Sequence, residues 1–408
     1  MEPLTIISEG HLIDNGLLSE ILNLIITEGF DYTIDNFHFG KRPENTSRIE
    51  ISISGAEPKE LLLSKLTPLG VFEKGASEGE FHVVDRDRHA PEGFYSTTNH
   101  RSEVFTGGRW VPVEEQRMDA AVVRSGDRLI CTKLRDLKKG DEILCGSDSV
   151  RVYPPRIEGK AESFSFMSND VSSERSYAVA AARIAEDLRR LKERGGRTVV
   201  VCGPVVVHTG GKEALAAMIR EGYIQGFLGG NAVAVHDLED FFYGTSLGVD
   251  TKSGEPTHGG HNHHMRAINR IYGYGSIRGA IEAGDLTGGL MYQVIKSGIP
   301  YCLAGSIRDD GPLPETVNDM IEAQRQYAEI MKETDLLLML SSMLHSIGTG
   351  NMTPSWVKTV CVDINPAVVT KLSDRGSGQA IGVVSDVGFF LRELCSQLGI
   401  EYSVPVVS

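Results

Sequence analysis

Acid–base chemistry is concentrated in two short stretches and one isolated histidine. PTHGGHNHHMR places His258, His261, His263 and His264 in one connection, and SIRDDGPLPE sets Asp309 beside Asp310. His208 follows an apolar run in GPVVVHTGG. Imidazoles titrate near neutral pH and can exchange protons with a substrate amine, while a carboxylate can accept from ribose hydroxyls or hold an ammonium. The H-x2-H-x-H-H spacing matches no usual zinc pattern and has no Cys or Asp beside it. Proton transfer, substrate orientation or a plain solvated loop therefore rank above a metal site. Arg278 and Arg308 are the cations for a substrate carboxylate, with surface salt bridging as their other role.

These groups need a frame that delivers them to one place. From Arg197 onward, apolar runs alternate with segments of helical length. The runs are RTVVVC (197–202), AVAV (232–235), PYCLA (300–304), LLLML (336–340), VCVDI (360–364) and AIGVV (380–384). Short continuous apolar runs read as strands buried on both faces, and the alternation predicts a parallel, doubly wound α/β sheet. Helices are expected over 173–194, 212–221, 262–283, 287–296, 315–332, 367–372 and 387–398. Ligands bind such a sheet at the carboxyl ends of its strands. Three connections would gather there: the turn Gly229-Gly230-Asn231-Ala232, the loop Ser306–Gly311, and a turn over His345–Asn351. Glycines at such turns let backbone N–H groups approach a phosphate or ribose. Asp363 ends a strand where a dinucleotide site places its ribose-binding carboxylate; capping the next helix is its other reading. The GxGxxG fingerprint is absent.

Upstream, residues 1–80 read as a small α+β domain, with helices over 17–26 and 58–66 and an alternating strand, RIEISIS, over 48–54. Residues 81–155 read as a β-rich unit or small barrel of short strands and turns, and 156–408 as the α/β domain. GFYSTTNHRSEV (93–104) is either a surface loop or one whose Asn99, His100 and Arg101 reach a neighbouring cleft. A net charge of −14 argues against nucleic-acid and anionic-membrane partners. No apolar run approaches the roughly 20 residues that cross a bilayer. MEPLTIISEG has neither the basic nor the apolar region of a signal peptide, and the six cysteines form no CxxC pair. A cytoplasmic protein with reduced thiols is expected.

Taken together, GPVVVHTGG (203–211), GGNAVAVHDLED (229–240), HGGHNHHMRAIN (258–269), AGSIRDDGPLPE (304–315), MLHSIGTGNM (343–352) and VDINPAVVTKLSDRGSGQAIGVVSDVGFFL (362–391) resemble one family. It is the archaeal-type, NAD-dependent ornithine cyclodeaminase family, also known as the conserved domain of lysine-oxoglutarate reductase/saccharopine dehydrogenase proteins. The C-terminal part of cyanobacterial arginine dihydrolase fusion enzymes is similar. LIDNGLLSEIL and the GFYSTTNH loop extend the resemblance over nearly the whole chain. It implies a deoxyhypusine-synthase/sirtuin-like NAD-binding sheet, with NAD against Asn231, Ala232, Asp310, Met343, Leu344, His345, Ser346, Asp363, Asp386 and Val387. The implied reaction takes L-ornithine to L-proline and ammonia through oxidation at Cα, ring closure and re-reduction by the same NAD. Asp309 or His208 would be the acid/base, Arg278 or Arg308 would hold the carboxylate, and His264 or Asn262 would orient the substrate. A homo-oligomer is expected by analogy. Competing readings are an NAD-dependent oxidoreductase or transferase on a related amino acid or polyamine, and a non-catalytic NAD-sensing protein.

Overall fold

The computed structural model describes residues 4–12, 16–40, 45–55, 59–75, 77–154, 173–246, 249–250, 263–309, 311–375 and 380–402. The chain divides into two units, the first built mainly from the N-terminal residues to Tyr153, together with Asn351–Trp356. Its first sheet, in the order β2-β3-β1-β4, comprises β1 (Leu4–Gly10), β2 (Asp31–His38), β3 (Ser47–Ser54) and β4 (Val71–Glu73). Alternation decides which face of β3 is inside: Ile49, Ile51 and Ile53 are buried. The helix Leu17–Thr27 buries Leu17, Ile21 and Ile25 at fourfold spacing, and these join the same core.

A second sheet, in the order β11-β6-β7-β9-β8-β10-β5, comprises β5 (Glu80–Val83), β6 (Arg101–Thr106), β7 (Arg109–Glu114), β8 (Ala121–Ser125), β9 (Arg128–Thr132), β10 (Glu142–Cys145) and β11 (Val150–Tyr153). Its core gathers Val104, Val111, Val113, Val122, Leu129 and Leu144. In this unit the Asn99 carbonyl accepts from the Ser355 N–H at 2.9 Å, and the Arg101 guanidinium lies 5.6 Å from the Trp356 ring centre.

The second unit is a parallel sheet flanked by helices. Its strands are β12 (Thr198–Cys202), β13 (Gly226–Gly230), β16 (Tyr301–Ala304), β17 (Thr316–Val317), β18 (Leu336–Leu340), β19 (Lys358–Asp363) and β20 (Ala380–Val384); a small antiparallel pair, β14 (Thr245–Ser246) and β15 (Val249–Asp250), stands apart. The order β17-β16-β13-β12-β18-β19-β20 is parallel at every pairing. From β12 the chain steps outward through β13 and β16, then returns to the other side of β12 for β18, β19 and β20. This is the doubly wound order, and its reversal lies between β12 and β18. Every residue of β12, β13 and β18 is buried, which is why, apart from Thr198 at the start of β12, these runs are apolar or glycine.

Three expectations are corrected. AVAV (232–235) is not a strand but the first turns of the helix Asn231–Tyr243, because a short buried apolar run has no period that separates the two. His345–Asn351 is not a turn; most of it lies in the helix Met343–Gly350. The single helix over 262–283 is two, His263–Tyr274 and Ile277–Glu282, broken at Gly275 (φ 75°) and restarted by the Ser276 side chain, which accepts from the Gly279 N–H. Within 203–211 the chain also forms a short helix, Val205–His208.

Candidate active site at the carboxyl edge of the parallel sheet

Where β12 and β18 end, their connections lie against each other. The Gly203 N–H donates to Leu340 O at 2.9 Å, and a Cβ on Gly203 would sit 2.0 Å from Ser341 O. Only glycine fits. Ser341 itself has φ 47°, a left-handed conformation that non-glycine residues adopt at a cost of roughly 1–2 kcal/mol. Such strain clusters at ligand sites. Ser341 is held there by its N–H donating to Val362 O at 2.9 Å. The next residues open the helix Met343–Gly350, with Met343 and Leu344 exposed and Ser346 fully buried, its hydroxyl without a partner among the described residues.

One strand over, β13 ends in Gly229-Gly230. A Cβ on Gly230 would lie 2.7 Å from the His345 ring, so the glycine lets that imidazole pack on the backbone. His345 Nδ1 is 3.0 Å from Ser342 Oγ, and burial pushes its pKa below the ordinary value, opposed by the Asp309 carboxylate. Asn231 is buried, and both ends of its amide are hydrogen-bonded. Oδ1 accepts from the Leu313 N–H and the Thr316 hydroxyl at 2.9 Å, while Nδ2 donates to Gly311 O at 3.2 Å. Its side chain therefore fixes the connection after β16, and Asn231 and Ala232 open a 13-residue helix whose first backbone N–H groups can meet a ligand.

That connection carries Asp309, half-buried, whose Oδ2 accepts from the Ser306 N–H at 2.8 Å. Arg308 is exposed, and its N–H donates to Ser306 Oγ at 3.0 Å. Arg278 lies elsewhere: its backbone N–H serves Glu315, and its charge acts on Tyr301, at the opposite end of β16. Asp363 ends β19 and accepts from the Asn365 N–H at 2.8 Å, while Asp386 caps the helix Val387–Leu398 by accepting from the Phe389 N–H at 2.8 Å. Val387, the first residue of that helix, is buried. Asp310, Asn262, His258 and His261 lie outside the described residues.

The edge is also apolar. Ile307, Met343, Leu344, Ile364, Val384 and Phe389 are all exposed large hydrophobics at or just beyond the carboxyl ends of β16, β18, β19 and β20. Exposed apolar groups gathered around a few polar ones mark a binding surface. The set fits a dinucleotide: apolar side chains for flat rings, helix starts for phosphates, and the Asp363 carboxylate for a ribose. Among the described residues no group of three or more His, Cys, Asp or Glu could hold a metal ion, and no helix is long and apolar enough to cross a membrane.

A polar chain runs beside this edge. His208 is exposed at the end of its short helix, and its Nδ1 lies 2.6 Å from Ser246 Oγ. Ser246 Oγ is 3.4 Å from His236 Nδ1, and His236 Nδ1 is 3.6 Å from Oε2 of the fully buried Glu239. The Thr245 hydroxyl donates to Glu239 Oε1 at 2.9 Å and lies 2.8 Å from His263 Nδ1. His263 stacks on Tyr243 with ring centres 4.9 Å apart. Burial and the neighbouring His236 lower the His208 pKa, against the pull of Glu239 and Asp240. His264 is half-buried beside His263.

Residues 182–394 match the family described as arginine dihydrolase ArgZ-like, C-terminal, Rossmann fold; residues 101–181 match its first region, and 4–100 match the LOR/SDH bifunctional enzyme conserved region. An ornithine cyclodeaminase of Methanocaldococcus jannaschii is 47% identical over 95% of this chain and 94% of its own length. This chain belongs to the ArgZ-like C-terminal family. The bifunctional arginine dihydrolase/ornithine cyclodeaminase AgrE of Nostoc sp. is also 47% identical over 98% of the chain, which spans only 58% of that protein. Among solved structures, apo ArgZ superposes with TM-score 0.84 at 42% identity, covering 98% of this chain and 58% of that one. A ternary complex of AgrE with ornithine and NAD+ superposes at TM-score 0.54 with 44% identity, covering 98% of this chain and 57% of that one.

In this ArgZ-like chain, sequence reasoning missed His236, Glu239, Thr245 and Ser246 around His208, and Tyr327, whose hydroxyl donates to Gly229 O at 2.8 Å. The signal available was HDLED itself, since His236 and Glu239 stand three apart on one helix face. It did not point to Ser246, which arrives only when the chain turns back after Gly244 (φ 65°).

Proposed function

We propose that this chain is an NAD-dependent ornithine cyclodeaminase that converts L-ornithine to L-proline and ammonia. The observation that carries the reading is the near full-length match, at 47% identity, to an archaeal protein of that name. The apolar, switch-point edge described above supports it. In this reading NAD lies along the starts of the helices at Asn231-Ala232 and Met343–Ser346, with Asp363 on a ribose and the Asp386-Val387 turn beside it; Asp310 is part of the same proposal. The finer likeness to deoxyhypusine-synthase and sirtuin sheets, the division into domains 1–80, 81–155 and 156–408, self-association and a cytoplasmic location also belong to this reading.

The chemistry supplied by bound NAD is reversible hydride acceptance at the substrate Cα. The chain must do the rest. An α-ammonium has to lose its proton before oxidation, and the departing ammonia has to gain one; His208 Nε2 has no protein partner among the described residues and serves both steps. Arg308, on the connection after β16, holds the substrate carboxylate, and Asp309 acts on the same edge through His345. Arg278 ranks below Arg308 because its partners lie at the other end of β16. His264 keeps an orienting role. Exposed Ile307, Leu344 and Ile364 close over bound rings and exclude water.

Purified protein supplied with ornithine and a trace of NAD should yield proline and ammonia in equal amounts without net NADH. Accumulation of NADH with no proline would make it a simple dehydrogenase, and no ornithine consumption would make it an NAD sensor.

A further inference from the structure

The chain of contacts behind His208 has a consequence for proton movement. The Ser246 hydroxyl has one proton and two imidazole neighbours, Nδ1 of His208 at 2.6 Å and Nδ1 of His236 at 3.4 Å. It can donate to only one of them, so the other nitrogen must carry its own proton and donate to Ser246. A proton can therefore pass between the two rings by a concerted shift through the hydroxyl. The two rings already stand edge to face, with centres 4.8 Å apart. Behind His236, Glu239 places Oε2 3.6 Å from Nδ1 and is fully buried. A buried carboxylate is costly unless a positive charge or a hydrogen bond faces it. The Thr245 hydroxyl is one of its hydrogen-bond donors, and a protonated His236 would add a positive charge beside it.

We propose that Ser246, His236 and Glu239 are a proton store behind His208, so that the histidine at the mouth works as one end of a relay. This rests on the reading of His208 as the acid/base. A proton taken from the substrate α-ammonium enters at His208 Nε2. His208 Nδ1 releases its own proton to Ser246, the Ser246 hydroxyl proton moves to His236 Nδ1, and the resulting imidazolium faces Glu239. No bond to carbon changes and no electrons leave the chain. The reverse sequence returns the proton to the departing ammonia. The store keeps the charge about one residue deeper than the substrate, so His208 is neutral again when the side-chain amine attacks. Ser246, His236 and Glu239 are positioning residues in this scheme.

Other charges face the relay. Asp240 acts on His208 from the same helix as His236, and the buried Lys212 pairs with Asp240 and stands 3.6 Å from Asp237. Arg392 donates to Thr209 O at 3.2 Å, next to His208 in sequence. Beyond Glu239, Thr245 meets His263, which stacks on Tyr243 at the edge of a hollow of about 670 Å³ also lined by Met265, Arg266, Asn269 and Arg270. The stacked pair carries no hydrogen bond, so the relay exchanges protons through His208.

The test compares wild type with Ser246→Ala, Ser246→Thr, Glu239→Gln and His208→Gln in the full chain. S246A and E239Q should lower kcat at least tenfold at neutral pH, with KM for ornithine within about twofold, and the acid limb of the kcat profile should move. S246T, which keeps the hydroxyl, should restore both. The proton inventory in mixed H2O/D2O should be curved for wild type and linear for S246A. Independently of turnover, the His208 ring, assigned by its loss in H208Q, should titrate in two coupled steps in cofactor-free wild type and in one step in S246A. Wild-type pH profiles, isotope curvature and His208 titration in S246A, with H208Q inactive, would overturn the relay and leave His208 as a lone acid/base. Full activity in H208Q would remove the reading beneath it. Should S246A not fold, the S246T and E239Q arms decide the matter.

Discussion

His345 joins three parts of the site: its ring packs on Gly230, its Nδ1 meets Ser342, and the Asp309 carboxylate acts on it from the connection after β16. Burial keeps it neutral, with a folded-state pKa below the 6.5 of a free imidazole. Its contribution to stability is therefore fully present above about pH 6.5, where the unfolded chain is also neutral. It is lost as pH falls through the folded pKa, because below 6.5 the unfolded chain binds a proton that the folded chain refuses. His208 and His100, also depressed by burial, act in the same direction. Glu213 and Glu315, raised by burial, act oppositely, closer to the carboxylate range. A difference between variants isolates one ring. Urea titrations of wild type and His345→Gln should give parallel stabilities above pH 6.5. Below it, wild type should lose stability faster, by at most about 1.4 kcal/mol per pH unit for one proton. Parallel curves down to pH 5 would show that His345 is not held neutral.

At the scale of elements, close backbone approach at the switch point sets what the connections tolerate. A Cβ at Gly203 meets a carbonyl oxygen at 2.0 Å, and neither β12 nor β18 can move away without breaking the Gly203–Leu340 hydrogen bond. At Gly273, near the end of its helix, a Cβ meets nothing within 4 Å. Gly203→Ala should therefore lower the melting temperature and weaken NAD binding together. Gly273→Ala should stabilise by about 0.5–1 kcal/mol, since alanine loses less backbone entropy in a helix. Thermal melts with NAD titration by fluorescence check both, and an unperturbed G203A would mean that the β12 and β18 connections do not pack as described. The parallel strands were legible because a strand buried on both faces must be apolar along its length, as LLLML is and as VCV is before Asp363 ends β19. AVAV satisfied the same rule from within a helix, and only the continuation to Tyr243 separates the two. Asp363, Asp309 and Gly229-Gly230 were legible as edge residues because a parallel sheet puts the ends of its strands on one side, although Gly229-Gly230 end β13 rather than form a turn. The Ser246 relay was not, because its members meet through a chain reversal that no local pattern encodes.

For the whole molecule, a ligand confined to one edge of one sheet makes a prediction about where stability changes. The two units have separate cores, one around Ile21, Ile49 and Leu62, the other around Val200, Phe227 and Leu338. A ligand that binds only the folded second unit stabilises it by about 2.7 kcal/mol at a hundredfold excess over Kd. Opening of β12, β18 and β19 exposes the buried edge, so their amides should gain protection by the full amount, roughly a hundredfold slower exchange. Strands β1 to β4 contain none of the residues assigned to NAD, and their amides should not respond unless binding is relayed to them. Hydrogen exchange with and without NAD, read peptide by peptide, decides this. Protection confined to 336–346 and 358–365, with its neighbours in β12 and β13, places the cofactor on the edge where Ser341 is strained and Gly203 has no room for a side chain. Protection appearing first in β5 to β11 would move the nucleotide off the parallel sheet, and with it the assignment of Asp363, His345 and His208 to one reaction.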